Sequence, residues 1–355
     1  MSRFNAPRAM WLASLALASV LLVSCGIDDA TAPPATQEPT AAAAPGGAEP
    51  RTGGGPSLTP APVETSAETP NEADPAPAPT EPPPEFTAPA IAGPLEPAAS
   101  ADPPARRSYI VPPNVSADAA LVMDEASGAI LFEDNAHNPL RIASLTKIAT
   151  AVVAIEQGDL EREVEVGVDF REMPESSVMG LVPGDTFTLR DLLFGVMLAS
   201  GNEAAIAVGE AISGSESAFV GEMNALMQRL GLEVSSYRNT HGLDEKGHMA
   251  SAHDLAVLSR YAMSLDEFLP LAMEDEWTAN GSREIRLVNR NPLVHDYDGA
   301  DGVKVGFTDD AGRTIVGSAS RDGHRVYVVL LNSRDSAGDA AQLLDWAFVS
   351  HAWPE

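Results

Sequence analysis

Residues 303–331 read VKVGFTDDAGRTIVGSASRDGHRVYVVLL, and this run decides the fold. Its hydrophobicity has period two, so 303–307, 313–320 and 325–331 are predicted as strands. The last two are joined across Arg321-Asp322-Gly323, a short turn. Working outward, 285–288 carries the same period after Trp277. Far upstream, Leu121-Val122-Met123 and Ala129-Ile130-Leu131-Phe132 flank Glu125-Ala126-Ser127-Gly128, a hairpin signal. Between the two strand groups the period is helical. Residues 144–157 are apolar at 145, 148, 149, 152, 153 and 155, with Gly158 as a stop. Thr188-x-x-Asp191 resembles a capping box opening a helix to Ala199. Helices are also predicted over 203–212, over 217–230 ahead of Gly231, and from Ser251-x-x-Asp254. A last helix covers 342–348. Early strands, a helical middle and late strands predict an α+β domain. Its antiparallel sheet comes from both ends of the domain, and helices cover the sheet's faces.

Composition sets the limits around that domain. Of 355 residues, 22 are Lys or Arg and 51 are Asp or Glu, a formal net charge of −29. Phosphate backbones are bound by Lys and Arg that release counterions, so this charge argues against nucleic acid. The single cysteine, Cys25, excludes an intrachain disulfide and a cysteine metal site. Residues 1–25 read as an export signal: Arg3 and Arg8 precede a 14-residue apolar run, Met10 to Val23, too short for a comfortable membrane span. The run ends Leu22-Val23-Ser24-Cys25, which resembles the bacterial lipoprotein processing site. That resemblance implies cleavage before Cys25, lipidation of its thiol and an extracytoplasmic protein held at a membrane. Residues 26–107 hold 20 of the 29 prolines, 12 acidic residues and three Arg. Such a segment buries too little apolar surface to offset chain entropy and is expected to be a disordered tether with a coil span of roughly 50 Å. What remains, 108–355, is enough for one large domain with a substantial core.

Lysine is scarce, only Lys147, Lys246 and Lys304, so each is informative. Ser144-Leu145-Thr146-Lys147 sets a hydroxyl and an amine three residues apart, on one face at a helix start. A serine hydroxyl attacks only when a neighbour takes its proton, and lysine can do so when burial or another cation keeps it neutral. Ser200-Gly201-Asn202 falls at a break between two predicted helices, where both polar side chains can face a cleft. An ordinary helix–helix turn has the same composition. Lys304-Val305-Gly306 lies on a predicted strand, either as a cation lining a cleft or as a solvated edge lysine.

In order and spacing, these three motifs match one family. The chain resembles the low-molecular-mass penicillin-binding proteins, the serine D-alanyl-D-alanine carboxypeptidases. The likeness extends over 122–128, Ala143-Ser144-Leu145-Thr146-Lys147, 200–205, Thr240-His241-Gly242-Leu243 and 301–308. It implies a β-lactamase/transpeptidase-like fold with a helical region forming the cleft, and no cofactor or metal. It implies that Ser144 attacks the carbonyl between the last two D-alanines of a peptidoglycan stem peptide, that Lys147 takes its proton and that Ser200 shuttles one to the leaving amine. Asn202 would hold the peptide. Lys304 would sit near the terminal carboxylate and help keep Lys147 neutral. The backbone N–H groups of Ser144 and Phe307 would form the oxyanion hole. Arg290 is a further candidate for the carboxylate, and His241 is expected to be structural. β-Lactam antibiotics would acylate the same serine.

One position departs from the family, which usually has Thr or Ser where this chain has Val305. The missing hydroxyl forfeits a hydrogen bond to a charged group, worth roughly 1.5–3 kcal/mol. Val305 therefore keeps open a weakly active or non-catalytic peptidoglycan- or penicillin-binding lipoprotein. A D,D-endopeptidase uses the same three motifs. A class A-like β-lactamase is disfavoured by Gly201 and by the lack of an E-x-x-L-N segment after Asn202. Many family members continue into a β-sandwich and a C-terminal anchor; here Cys25 is expected to provide the anchor instead.

Overall fold

The structure is a computed structural model that describes residues 99–107 and 109–354. The expected export signal 1–25, with Cys25, and the expected tether as far as residue 98 lie outside the described residues.

The chain enters through β1 (Ala105–Arg106), then the hairpin β2 (Ala119–Asp124) and β3 (Ile130–Asp134). A 3-10 turn, Ala143–Leu145, leads directly into α1 (Thr146–Gln157). The small hairpin of β4 (Glu163–Glu165) and β5 (Thr186–Thr188) precedes α2 (Leu189–Met197), α3 (Asn202–Ser213) and α4 (Glu216–Arg229). Next come α5 (Ala252–Ala262), α6 (Phe268–Met273), β6 (Glu276–Asn280), β7 (Glu284–Val288) and α7 (Pro292–Asp296). The closing run is β8 (Ala300–Thr308), β9 (Gly312–Arg321), β10 (His324–Ser333), α8 (Ser336–Ser350) and β11 (His351–Ala352).

The central sheet has the order β3-β2-β10-β9-β8, with every pair antiparallel. Strands from both ends of the domain therefore meet in one sheet, as the hydrophobic periods predict. Local sequence sets the helix starts. The hydroxyls of Thr188, Ser215 and Ser251 each accept the N–H three residues on, from Asp191, Ala218 and Asp254. The sheet separates two cores. On one face Leu121, Met123, Val316, Tyr327 and Val329 join α1, α2, α3 and α5. On the other, Ala120, Val122, Ile315, Val328 and Leu330 pack under Leu343, Leu344 and Trp346 of α8. Helix α1 is buried continuously over 146–154, so Thr146, Lys147 and Thr150 are enclosed along with its apolar stripe.

Three expectations shift. The 285–288 strand is real but lies outside the central sheet: β7 pairs with β6 alone, burying Ile285 and Leu287. The last helix starts at Ser336, six residues before the expected 342. Asp335 caps it by accepting the Gly338 N–H, and its small first-turn residues carry little hydrophobic signal. Ordered contacts also begin ahead of residue 108. Ala105 and Arg106 pair with Ala352 and His351, and the Ser100 N–H donates to the Ala126 carbonyl. A two-residue strand is too short to leave a period in the sequence. Among the described residues no helix is long and apolar enough to cross a membrane.

Candidate active site

A cleft of about 630 Å³ opens where the Ala143–Leu145 turn, the α2–α3 break and β8 converge. Ser144, Ser200, Asn202, Arg290, Val305 and Phe307 all line it. Two residues at the motifs rest on strained backbone. Ala143, just before Ser144, has φ 49°, and Ser200 has φ 58°. A left-handed conformation at a non-glycine residue costs on the order of 1–3 kcal/mol and persists only where the surroundings impose it.

The surroundings at Ala143 are specific. Its carbonyl accepts the Thr146 hydroxyl at 2.8 Å. Thr146 Oγ1 in turn lies 2.7 Å from His248 Nε2, while His248 Nδ1 accepts the Arg238 N–H at 3.1 Å. Because Nδ1 is the acceptor, Nε2 carries the proton and donates to Thr146. Gly242 closes over the same carbonyl: at φ 94°, an added Cβ would stand 1.9 Å from Ala143 O, so only glycine fits. Gly306 of β8 approaches from the other side, where a Cβ would lie 2.8 Å from Ser144 N. The glycine of the third motif thus lets the strand edge pass close to the N–H of Ser144.

Lys147 is fully buried one helical turn on. Its Nζ lies 3.0 Å from Ser144 Oγ, 2.6 Å from Asn202 Oδ1 and 2.7 Å from the His241 carbonyl. Burial and the nearby Lys304 and Arg290 charges push its pKa well below the ordinary lysine value, against an opposing pull from Glu203. A neutral amine has two N–H groups and one lone pair. The Asn202 and His241 oxygens carry no proton and must accept. Ser144 is the one partner of the three with a proton to give, so the lone pair of neutral Lys147 faces the Ser144 hydroxyl.

Ser200 and Asn202 are 4% and 3% exposed at the break between α2 and α3. The break is clamped: the Asn202 N–H donates to Ser177 O, and Glu203 Oε1 accepts the N–H groups of Gly180 and Leu181. The side-chain carbonyl oxygen of Asn202 is committed to Lys147, which leaves its Nδ2 for a ligand. Lys304 is buried, 2% exposed, with Nζ donating to Val305 O at 3.1 Å. Burial, with Arg290 nearby, lowers its pKa to about 7. Arg290 lines the cleft, held by Ser177 Oγ at 2.7 Å. Phe307 is 61% exposed on the lip. Val305 lines the cleft while packing on the core beneath α8. His241 contributes its backbone carbonyl to Lys147 and a neutral ring whose pKa burial lowers to about 3.

The structure also brings in residues that sequence reasoning did not single out as part of the cleft: Ser177, Asp244, Arg313 and Thr314. They lie outside the three motifs, so spacing carried no signal for them. Register does. Arg313 and Thr314 stand opposite Phe307 and Gly306 across β8 and β9.

The family model for D-alanyl-D-alanine carboxypeptidase matches residues 107–335. The chain is 32% identical over 242 residues to the D-alanyl-D-alanine carboxypeptidase DacF of Bacillus subtilis, covering 65% of this chain and 62% of that one. It is 36% identical over 251 residues to DacC of Escherichia coli, covering 66% and 62%. It therefore spans under two thirds of the length of these two relatives. Against DacB2 of Mycobacterium tuberculosis it is 33% identical over 248 residues, covering 66% of this chain and 84% of that one. Among solved structures, the Streptomyces K15 DD-transpeptidase superposes with a TM-score of 0.65 at 28% identity, over 68% of this chain and all of the other. Penicillin binding protein 5 of Haemophilus influenzae gives 0.64 at 33%, over 68% and 73%. The β-lactamase/transpeptidase-like fold is thus shared, and the chain belongs to the D-alanyl-D-alanine carboxypeptidase family.

Proposed function

We propose that this protein is a serine D,D-carboxypeptidase that removes the terminal D-alanine from peptidoglycan stem peptides. The observation that carries the reading is the hydrogen-bond pattern of Lys147, whose lone pair, once the amine is neutral, can only face Ser144 Oγ. Ser144 attacks the carbonyl between the last two residues, and its proton passes to Lys147 Nζ. The backbone N–H groups of Ser144 and Phe307 stabilise the oxyanion. The acyl C–N bond breaks as the departing amine takes a proton, relayed through Ser200. Water then hydrolyses the Ser144 ester and regenerates the hydroxyl. Asn202 Nδ2 holds the peptide, and the buried Lys304 charge helps keep Lys147 neutral.

The same reading makes Ser144 the target of penicillins. The test is mass spectrometry after incubation with benzylpenicillin, followed by a D-alanine release assay. A single adduct on Ser144, lost in Ser144→Ala, together with D-alanine release is expected. An adduct on Ser200 overturns the mechanism. A stable adduct without release supports the non-catalytic binder that Val305 keeps open, and cleavage of cross-linked peptides in preference to pentapeptide supports an endopeptidase. We further propose export through residues 1–25, lipidation of Cys25 and a tether over most of 26–107. Cys25→Ser should free the protein from membranes or leave the signal uncleaved.

A further inference from the structure

We propose that Arg313 reads a carboxylate on the ligand at the β8–β9 lip, doing what the side chain at 305 cannot. Antiparallel register puts Phe307 opposite Arg313 and Val305 opposite Ile315, so Val305, Phe307 and Arg313 share one face of the ladder. Val305 and Arg313 are diagonal neighbours there, within reach of a long side chain. All three line the cleft. The Arg313 guanidinium lies 6.0 Å from the centre of the Phe307 ring, a cation–π contact that holds it over the lip.

Other polar groups of the site already make bonds within the protein. The Thr308 hydroxyl donates to Asp244 Oδ1 and accepts the Ala311 N–H, each at 3.1 Å. Thr314 Oγ1 donates to Ile142 O, Arg290 to Ser177 Oγ, and Lys304 Nζ to Val305 O. Val305 offers methyl groups. Arg313 is different: among the described residues it has no ion-pair or hydrogen-bond partner. Arg141, Arg190, Arg229, Arg283, Arg286 and Arg325 are each paired with a carboxylate. In a chain of net charge −29, an arginine that fronts a cleft with its five donors free suits a planar anion, and a carboxylate matches its fork. That the anion is the C-terminus of a D-alanyl peptide rests on the carboxypeptidase reading.

The test separates the two. In a full-length Ser144→Ala background, an acyl-D-alanyl-D-alanine peptide and the same peptide ending in a carboxamide are titrated calorimetrically. The acid should bind about 10-fold or more tighter than the amide. Arg313→Gln should erase that preference with little change for the amide, and Arg313→Lys should keep part of it. In the wild-type chain, acylation by benzylpenicillin should outrun that by its methyl ester, and Arg313→Gln should narrow the gap. An acid preference that survives Arg313→Gln overturns the proposal, as does equal affinity, or no binding of either peptide, before Arg313 is changed. Failure of the carboxypeptidase reading looks different: wild-type protein releases no D-alanine while the acid preference and its loss in Arg313→Gln persist.

Discussion

The two walls of the cleft are built in opposite ways. On the α1 side every group near Ser144 is buried and held. Lys147 makes three contacts, Ala143 is fixed through Thr146 and His248, and Gly242 seals the turn. On the β8–β9 side Phe307 is largely exposed, Val305 is half-buried, and the Arg313 guanidinium stands 6.0 Å from the Phe307 ring centre. On the proposed reading, deprotonating a serine tolerates little displacement, which accounts for groups locked before a ligand arrives. Recognition is spread over side chains that can be exchanged without disturbing the fold. Val305, where the resemblance leads one to expect Thr or Ser, lies on the open wall.

If the buried wall is the rigid one, substitutions there should cost most. Lys147→Met keeps the volume and removes the base, and should lower the rate of Ser144 acylation by about 1,000-fold in a stopped-flow penicillin assay, with folding intact by circular dichroism. A loss of tenfold or less would mean that another group takes the proton.

Gly242→Ala should break the same wall mechanically. The added methyl meets the Ala143 carbonyl on a left-handed backbone, and roughly 2–4 kcal/mol of stability should vanish in urea unfolding. Gly323→Ala, also at positive φ but with nothing within 4 Å, should cost less, and equal costs would show that close approach is not the cause.

Proton linkage sharpens the comparison further. Burial lowers the pKa of His241 to about 3 and of His248 to about 4, from 6.5. Between those values and 6.5 the unfolded chain binds more protons, so stability should fall as pH drops below about 6.5 and continue falling toward 3. His248→Gln should flatten that slope in unfolding titrations between pH 4 and 6.5. An unchanged slope would place His248 outside the linkage.

The open wall should respond least. Val305→Thr adds a hydroxyl of nearly the same shape, so it should fold unchanged and raise kcat/KM for a D-alanyl-D-alanine peptide by up to about tenfold. The smaller end of the range is expected because Arg313 already faces the ligand. No gain in Arg313→Gln plus Val305→Thr over Arg313→Gln alone would show that residue 305 does not contact the carboxylate.

Much of this was legible in order and spacing. The period of two over 303–331, the caps at Thr188 and Ser251, and the three short motifs are all local signals, each carried within a few residues. A hairpin or a first helical turn requires little else, which is why these elements appear where the patterns place them. The same locality explains what was missed. The β6–β7 hairpin lies apart from the central sheet because its partner surface, including the Phe194–Trp277 stack at 3.9 Å, comes from α2, far away in sequence.

By itself the sequence determined an α+β domain with antiparallel strands from both ends, a serine–lysine pair on one helical face, and a third motif with valine in its middle. Tertiary structure alone decided which charges exist at the site. Burial beside Lys304 and Arg290, residues 157 and 143 positions downstream, pushes the pKa of Lys147 well below its ordinary value. It also decided that Asn202 serves Lys147 through its carbonyl and that Arg313 reaches the cleft. The physical reason is that desolvation and hydrogen-bond direction depend on what surrounds a group in space, and chain spacing records only neighbours along the backbone.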